Sequence, residues 1–143
     1  MRMRVPRAGV VLAAALFAVR CGSSSPVGPS SGLDGSWAGV LARGTDRGSV
    51  TLHMNQTESG VSGTWAVDFD GASGDRSGSV GGTVIGVDVT LFLTPAAPLD
   101  CAGVTLSGTL TVDASMSGDR LTGTYLGFTC DGVDTGTLDV TRN

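Results

Sequence analysis

Apolar and polar residues alternate along most of this chain from residue 33 onward. One unit recurs at residues 61–65, 80–84, 106–110, 121–125 and 134–138: in most copies an apolar residue, then a small residue, Gly, Thr and an apolar residue. Such alternation is typical of a half-buried β-strand, whose successive side chains point to opposite faces. Gly or Pro interrupts every stretch that is long enough for a helix. The pattern therefore predicts an all-β domain.

Eight strands are predicted, near residues 33–41, 49–56, 61–69, 78–85, 87–94, 104–112, 121–125 and 136–142. The short connections favour a meander in which sequential strands pair. Closing the sheet into an up-and-down barrel removes its exposed edges. The prediction is an eight-stranded antiparallel up-and-down barrel. The residues expected to face inward, with Arg142 in the same phase, are Leu33, Gly35, Trp37, Gly39, Leu41, Val50, Leu52, Met54, Val61, Gly63, Trp65, Val67, Phe69, Val80, Gly82, Val84, Val87, Val89, Leu91, Leu93, Val104, Leu106, Gly108, Leu110, Val112, Leu121, Gly123, Tyr125, Gly136, Leu138 and Val140.

Two residue pairs are expected to meet in this meander. Cys101 and Cys130 fall in connections five–six and seven–eight, which lie at the same end of the barrel. They are therefore expected within disulfide distance, in an oxidising compartment. Trp37 near the start of the first strand and Arg142 near the end of the last should be neighbours across the closing seam. A guanidinium over an indole ring is a favourable cation–π pair.

The two ends of the predicted barrel differ. The end where the chain enters, here called the proximal end, has tight connections at residues 57–60, near 86 and at 114–118. The opposite or distal end has longer connections at residues 43–47, 70–76, 95–102 and 129–134. Binding residues concentrate on loops that a rigid scaffold holds. Recognition of a protein partner or a small apolar ligand is therefore expected at the distal end.

The N-terminal residues have a different pattern. An apolar run at residues 8–19 follows the three arginines Arg2, Arg4 and Arg7. The run is too short to span a bilayer as a helix. Residues 1–20 are therefore predicted to be a signal peptide. Residues 21–32 are predicted to form a flexible Gly/Ser/Pro tether, and residues 33–143 the barrel domain.

Cys21 closes the apolar run, and this arrangement resembles the bacterial lipoprotein precursors. The resemblance implies that Cys21 is lipid-modified and anchors the protein in the cell envelope, with the outer membrane as the expected membrane. The cysteine count agrees, because pairing Cys101 with Cys130 leaves Cys21 over. That family has a small residue before the cysteine, where this chain has Arg20. Ordinary secretion after a cut near Ala18 is the alternative.

Charge narrows the range of partners. The chain has thirteen acidic residues and nine arginines, and no lysine. Four of the arginines precede Cys21, so the processed chain would hold five arginines against thirteen carboxylates, a formal charge of −8. Such a surface repels phosphate backbones and anionic lipid. We therefore expect no nucleic-acid partner, and membrane contact through the lipid anchor only.

The predicted barrel also carries a family resemblance. Gly35-Ser36-Trp37 in the first strand, with Arg142 ending the last, resembles the calycin pattern of lipocalins, fatty-acid-binding proteins and avidins. Leu-Thr-Gly-Thr-Tyr at residues 121–125 resembles an avidin strand. The resemblance implies a calycin-like barrel, and it raises the hypothesis of a carrier for a small hydrophobic ligand. Because side chains can fill an eight-stranded barrel, a packed interior is the expectation.

No motif predicts an enzyme, a cofactor or a metal. His53 is the single histidine and is expected to face outward, and the chain lacks a nucleophile elbow, a phosphate loop and paired Cys/His metal spacing. Residues 68–75 contain several carboxylates, but their spacing does not match a calcium loop.

The leading hypothesis is a non-enzymatic binding or interaction module. Alternatives are the hydrophobic carrier, a protease inhibitor and an integral outer-membrane barrel, the last requiring strands of about 9–11 residues and aromatic girdles.

Overall fold

A computed structural model of the chain describes residues 32–69 and 76–143. The strands are β1 Gly35–Arg43, β2 Asp46–Thr57, β3 Gly60–Asp68, β4 Arg76–Ile85, β5 Asp88–Pro95, β6 Leu99–Cys101, β7 Val104–Leu106, β8 Leu110–Ser117, β9 Arg120–Thr129 and β10 Gly132–Arg142. Eight of them close into an antiparallel barrel in the order β1-β10-β9-β8-β5-β4-β3-β2. The predicted up-and-down barrel is confirmed. The predicted signal peptide, Cys21 and nearly all of the tether lie outside the described residues.

The barrel interior is mostly apolar and its outer face is mostly polar. Outward positions such as Thr51, Thr83 and Thr124 are exposed, while Leu52, Val84 and Tyr125, which follow them, are buried. An integral outer-membrane barrel has the opposite arrangement, with apolar residues turned to lipid. The buried hydrophobic residues are Leu33, Trp37, Leu41, Val50, Leu52, Met54, Val61, Trp65, Val67, Phe69, Val80, Val84, Val89, Leu91, Leu93, Leu110, Val112, Leu121, Tyr125, Leu138 and Val140.

The sixth strand was predicted too long. Residues 104–106 leave the barrel as β7, which pairs with β6 in a separate two-stranded hairpin, and the barrel strand β8 begins at Leu110. The break lies near Gly108, where a positive φ of 69° turns the chain back toward the barrel. Val104, predicted to face inward, is therefore exposed on the hairpin. Val87 is also exposed, because it lies in the β4–β5 turn rather than in β5.

The connections at the proximal end are tight turns at residues 58–59, 86–87 and 118–119, in agreement with the alternation. At the distal end, two of the four connections predicted to be long are two-residue turns, at residues 44–45 and 130–131. They are short because the strands keep pairing to their polar ends: Arg43 pairs with Asp46, and Thr129 with Gly132. The long distal connections are residues 96–109, which include the β6–β7 hairpin, and the segment between Phe69 and Arg76.

The closing seam joins β1 to β10. Trp37 and Arg142 are register partners, and the Arg142 guanidinium carbon lies 4.7 Å from the centre of the Trp37 ring. Arg142 also bonds the Asp119 carboxylate at 3.0 Å and donates to the backbone carbonyls of Gly32 and Asp34. The side chain of Arg142 thus fastens the incoming chain to the last strand.

The predicted disulfide between Cys101 and Cys130 is confirmed, with a Cα–Cα distance of 5.1 Å. It ties the β6–β7 hairpin to the β9–β10 turn at the distal end. Within the described part of the chain, no helix is long and apolar enough to cross a membrane.

Candidate binding cleft at the distal end

A buried carboxylate lies near the distal end of the barrel. Asp134, on β10, is only 7% exposed and has the same inward phase as Leu138 and Val140. The Tyr125 hydroxyl of β9 donates a hydrogen bond to Asp134 Oδ1 at 3.2 Å. Burying a carboxylate is costly unless polar groups compensate for the lost water. The Tyr125–Asp134 pair therefore marks a place where the apolar interior gives way to specific polar contacts.

Glycines make room for the aromatic rings of this end. Gly136 is the register partner of Tyr125, and a Cβ atom at Gly136 would lie 2.6 Å from Cε1 of the Tyr125 ring. A Cβ atom at Gly48 would lie 2.9 Å from two atoms of the Phe69 ring. Both distances are shorter than real van der Waals contacts. The inward glycines thus position these rings, in addition to the coiling role expected of glycine in a strand.

Arg43, the last residue of β1, stacks on one of these rings. Its guanidinium carbon lies 4.9 Å from the centre of the Phe69 ring. Its Nη1 atom is 3.7 Å from Asp134 Oδ2, and its Nη2 atom is 3.8 Å from Asp46 Oδ2. Both distances are longer than a hydrogen bond, although they allow ion pairing. The five N–H groups of Arg43 therefore keep donor capacity for a further acceptor.

The polar cluster shifts the ionisation of the tyrosine. Burial, together with the charge and the hydrogen bond of Asp134, raises the pKa of Tyr125 from 10.0 to about 12, against the opposing charges of Arg43 and Arg76. The hydroxyl is therefore protonated at neutral pH. It acts as a hydrogen-bond donor to Asp134 and is unsuited to act as a base or a nucleophile.

Arg43 and Arg76 line a common surface cleft of about 500 Å³, on the solvent side of the Tyr125–Asp134 pair. No carboxylate within residues 32–69 and 76–143 forms an ion pair with Arg76. Val133 borders the cleft and, with its register partner Phe128, forms an exposed apolar pair beside it. The other residues of the lining are Thr129, Asp131, Asp134 and Thr135. The cleft thus offers cationic donors, hydroxyl groups and an apolar edge, together with the carboxylates of Asp131 and Asp134.

The barrel interior behind the cleft is filled. Between Tyr125 and the neighbouring core side chains Leu41, Trp65 and Leu110, the open volume is about 10 Å³. That is room for about one water molecule. Small-molecule sites have volumes of about 300–1,000 Å³, so this part of the described interior holds no such ligand.

The other residues considered as sites lie elsewhere. His53 is exposed on β2 and its Nδ1 atom shares a 2.8 Å hydrogen bond with the Ser36 hydroxyl. Of the acidic loop considered for calcium, residues 70–75 lie outside the described residues. The described ranges contain no group of three or more His, Cys, Asp or Glu side chains arranged to hold a metal ion.

Sequence reasoning missed Arg43 and Asp134 as components of a site. Both stand in the inward phase of their strands, Arg43 two residues after Leu41 and Asp134 two residues before Gly136. A charged residue in an inward phase was therefore the available signal. Arg76 carried no such signal, because its role depends on which strand ends meet at the distal end.

No family model, curated protein or solved structure matches this chain. The class of protein rests on the fold and the site alone: a closed eight-stranded barrel with a polar cleft at its distal end. The calycin likeness remains one of topology and a few motif residues.

Proposed function

We propose that this chain is an exported bacterial lipoprotein, anchored in the outer membrane through Cys21, whose barrel is a non-enzymatic binding module. The observation that carries the proposal is the distal cleft, where two arginines with spare donor capacity lie at the end opposite to the incoming chain. A tether attached at the proximal end would leave this cleft facing away from the membrane.

The chemistry of the cleft favours a partner group that is anionic and borders an apolar surface. Guanidinium groups bind carboxylates in forked geometry, and such charge-assisted hydrogen bonds are stronger than neutral ones. Arg76 supplies the cation without a carboxylate partner among the described residues, and Phe128 with Val133 supplies the apolar edge. A carboxylate next to an aromatic or aliphatic group, as at the C-terminus of a peptide, matches both features.

Neither alternative role is favoured by a specific observation. A hydrophobic carrier needs an interior volume, and the described interior near Tyr125 has about 10 Å³. A protease inhibitor needs an extended segment that can occupy a protease cleft. The β6–β7 hairpin is separate from the barrel sheet, but its tip at Ala102 and Gly103 is a tight turn with positive φ at both residues.

The anchor is tested by intact mass and membrane fractionation of the full chain expressed in a bacterial host. We expect a diacylglyceryl-sized mass increase on Cys21 and recovery in the membrane fraction. Cys21→Ser should abolish both. A soluble, unmodified product cut near Ala18 would show instead that the protein is freely secreted.

The cleft is tested with N-acetylphenylalanine, which carries a carboxylate beside an aromatic ring, by NMR titration of the backbone amides. We expect saturable shifts at Arg76 and Thr135, and none with the corresponding amide compound. Arg76→Met should abolish the shifts. Arg47→Met is the matched control, because Arg47 is exposed on β2 and does not line the cleft. Equal shifts with the acid and the amide would contradict recognition of an anion.

A further inference from the structure

The turn between β4 and β5 ends in an exposed apolar tip. Ile85 is 76% exposed and Val87 is 57% exposed, with Gly86 between them at a φ of 65°. Pairing of Ile85 with Asp88 closes the turn, so the backbone presents both side chains at the edge of the barrel. Turn residues are commonly Gly, Asn, Asp or Ser, for conformational reasons that Ile and Val do not share.

The other two turns at the proximal end are polar. One contains Glu58 and Ser59, and the other contains Gly118 and Asp119. The Ile85–Val87 tip thus differs in chemistry from its neighbours on the same rim, and the fold leaves more than half of the surface of each residue exposed. An exposed apolar feature with polar surroundings is typical of a contact surface.

The tip lies at the end of the barrel that receives the N-terminal chain. The Leu33 amide donates to the Gln56 side chain at 2.8 Å, next to the β2–β3 turn. The Val84 amide, next to the tip, donates to the Ser59 carbonyl of that same turn at 2.8 Å. The incoming chain and the apolar tip therefore share the proximal rim.

The length of chain beyond the described residues limits the distance to the anchor. Ten residues, 22–31, and eleven peptide bonds connect Cys21 to Gly32, and these residues are rich in Gly and Ser. A flexible chain of that length has an average end-to-end distance of about 17–20 Å. This step rests on the lipid anchor of the proposed function. With Cys21 in a bilayer, the proximal rim stays close to the lipid surface.

We propose that Ile85 and Val87 form a second membrane contact, which dips into the boundary between headgroups and acyl chains of the bilayer that holds the anchor. Apolar side chains bind at this boundary with a strength that scales with the apolar area they bury. Asp88 and Glu58 lie close by on the same rim, which favours zwitterionic over anionic lipid. The contact would orient the barrel with its distal cleft away from the membrane.

The test uses the full lipidated chain with Ile85→Trp, in phosphatidylcholine vesicles that carry bromine on their acyl chains. Bromine quenches indole emission only at short range, and the native Trp37 and Trp65 are buried inside the barrel. We expect the added emission of Ile85→Trp, and of a second probe Val87→Trp, to be largely lost. Thr45→Trp, at an exposed turn of the distal end, is the matched control and should keep its emission.

Two failures are distinguishable by flotation of the same vesicles. If the protein floats with the vesicles and Ile85→Trp emission equals that of the Thr45→Trp control, the membrane contact is wrong and the anchor stands. If the protein does not float, the anchor fails and the membrane contact fails with it. A concentration-dependent blue shift of Ile85→Trp emission without vesicles, together with a dimer mass, would assign the tip to a second copy of the chain and would overturn the proposal.

Discussion

Each end of the barrel has an arginine stacked on an aromatic ring, but the two arginines are completed differently. At the proximal end Arg142 lies over Trp37, bonds Asp119 at 3.0 Å, and donates to two backbone carbonyls. At the distal end Arg43 lies over Phe69, and its two carboxylate partners are 3.7 and 3.8 Å away. The Arg142 side chain is 13% exposed and that of Arg43 is 30% exposed.

This difference in hydrogen bonding indicates that Arg142 has a structural role and that Arg43 belongs to a binding site. Donors that are already matched by short hydrogen bonds fix a geometry, and they have little capacity left for a ligand. Donors held only by stacking and by longer ion pairs can still bind an acceptor that arrives from solution. The Arg142–Trp37 pair therefore closes the barrel at the proximal end, whereas the Arg43–Phe69 pair leaves binding capacity at the distal end.

The largest expected effect comes from opening the proximal seam. Trp37→Ala removes a fully buried ring, and we expect a loss of about 3–5 kcal/mol in the free energy of unfolding. Urea denaturation followed by circular dichroism measures it. Phe92→Ala is the control, because Phe92 is exposed on the outer face and should change stability by no more than about 0.5 kcal/mol. Equal midpoints for the two variants would contradict a structural role for the seam.

The next effect concerns the distal end. Replacing both cysteines by serine frees the hairpin from the β9–β10 turn, and the disulfide joins positions 29 residues apart. Loss of such a cross-link costs about 2–4 kcal/mol, chiefly by enlarging the unfolded ensemble. Urea midpoints with and without reductant provide the measurement. Reduced wild-type protein should match Cys101→Ser/Cys130→Ser, and an oxidised wild-type protein no more stable than the double variant would contradict the prediction.

A matched pair of substitutions compares the two arginines directly. Arg142→Met leaves the carbonyls of Gly32 and Asp34 without this donor, and we expect a loss of about 1–3 kcal/mol. Arg43→Met retains an apolar chain over Phe69 and removes only longer ion pairs, so the expected loss is below about 1 kcal/mol. Thermal unfolding of both variants gives the ranking. A larger loss of stability for Arg43→Met than for Arg142→Met would contradict the structural role of Arg142 and the binding role of Arg43.

The strands were predictable because alternation records the face of each residue. Trp65, Leu91 and Leu121 are buried where period two places them. Alternation does not record which strand a segment pairs with, and for that reason residues 104–106 were assigned to the barrel instead of to the β6–β7 hairpin. It also stops at polar strand ends, so the turn at residues 44–45 was predicted to be longer than it is.

The distal site was less predictable than the fold. Two cues were present in the alternation, Arg43 and Asp134 in inward phases, but the contact between them depends on the closure of β1 against β10. The position of Arg76 in the same cleft depends on β4 as well. Tertiary closure, which no local pattern encodes, brings these charges together.

The smallest effect is a pKa shift, and it tests the electrostatics of the distal cluster. Tyr125 is the single tyrosine, so the ultraviolet phenolate absorbance of the folded protein reports one group. We expect a midpoint at about 12, lowered by Asp134→Asn and raised by Arg43→Met, because the carboxylate and the guanidinium act on the pKa in opposite directions.

The same shift has a consequence for stability. Since the folded pKa of Tyr125 lies above its ordinary value of 10.0, the protonated hydroxyl stabilises the fold fully below pH 10. This contribution is lost as the pH rises toward about 12. Tyr125→Phe should remove this part of the alkaline destabilisation in urea titrations. A phenolate midpoint near 10 in the folded protein would show that Tyr125 is neither buried nor paired with Asp134. The cleft would then have no buried polar pair beneath it.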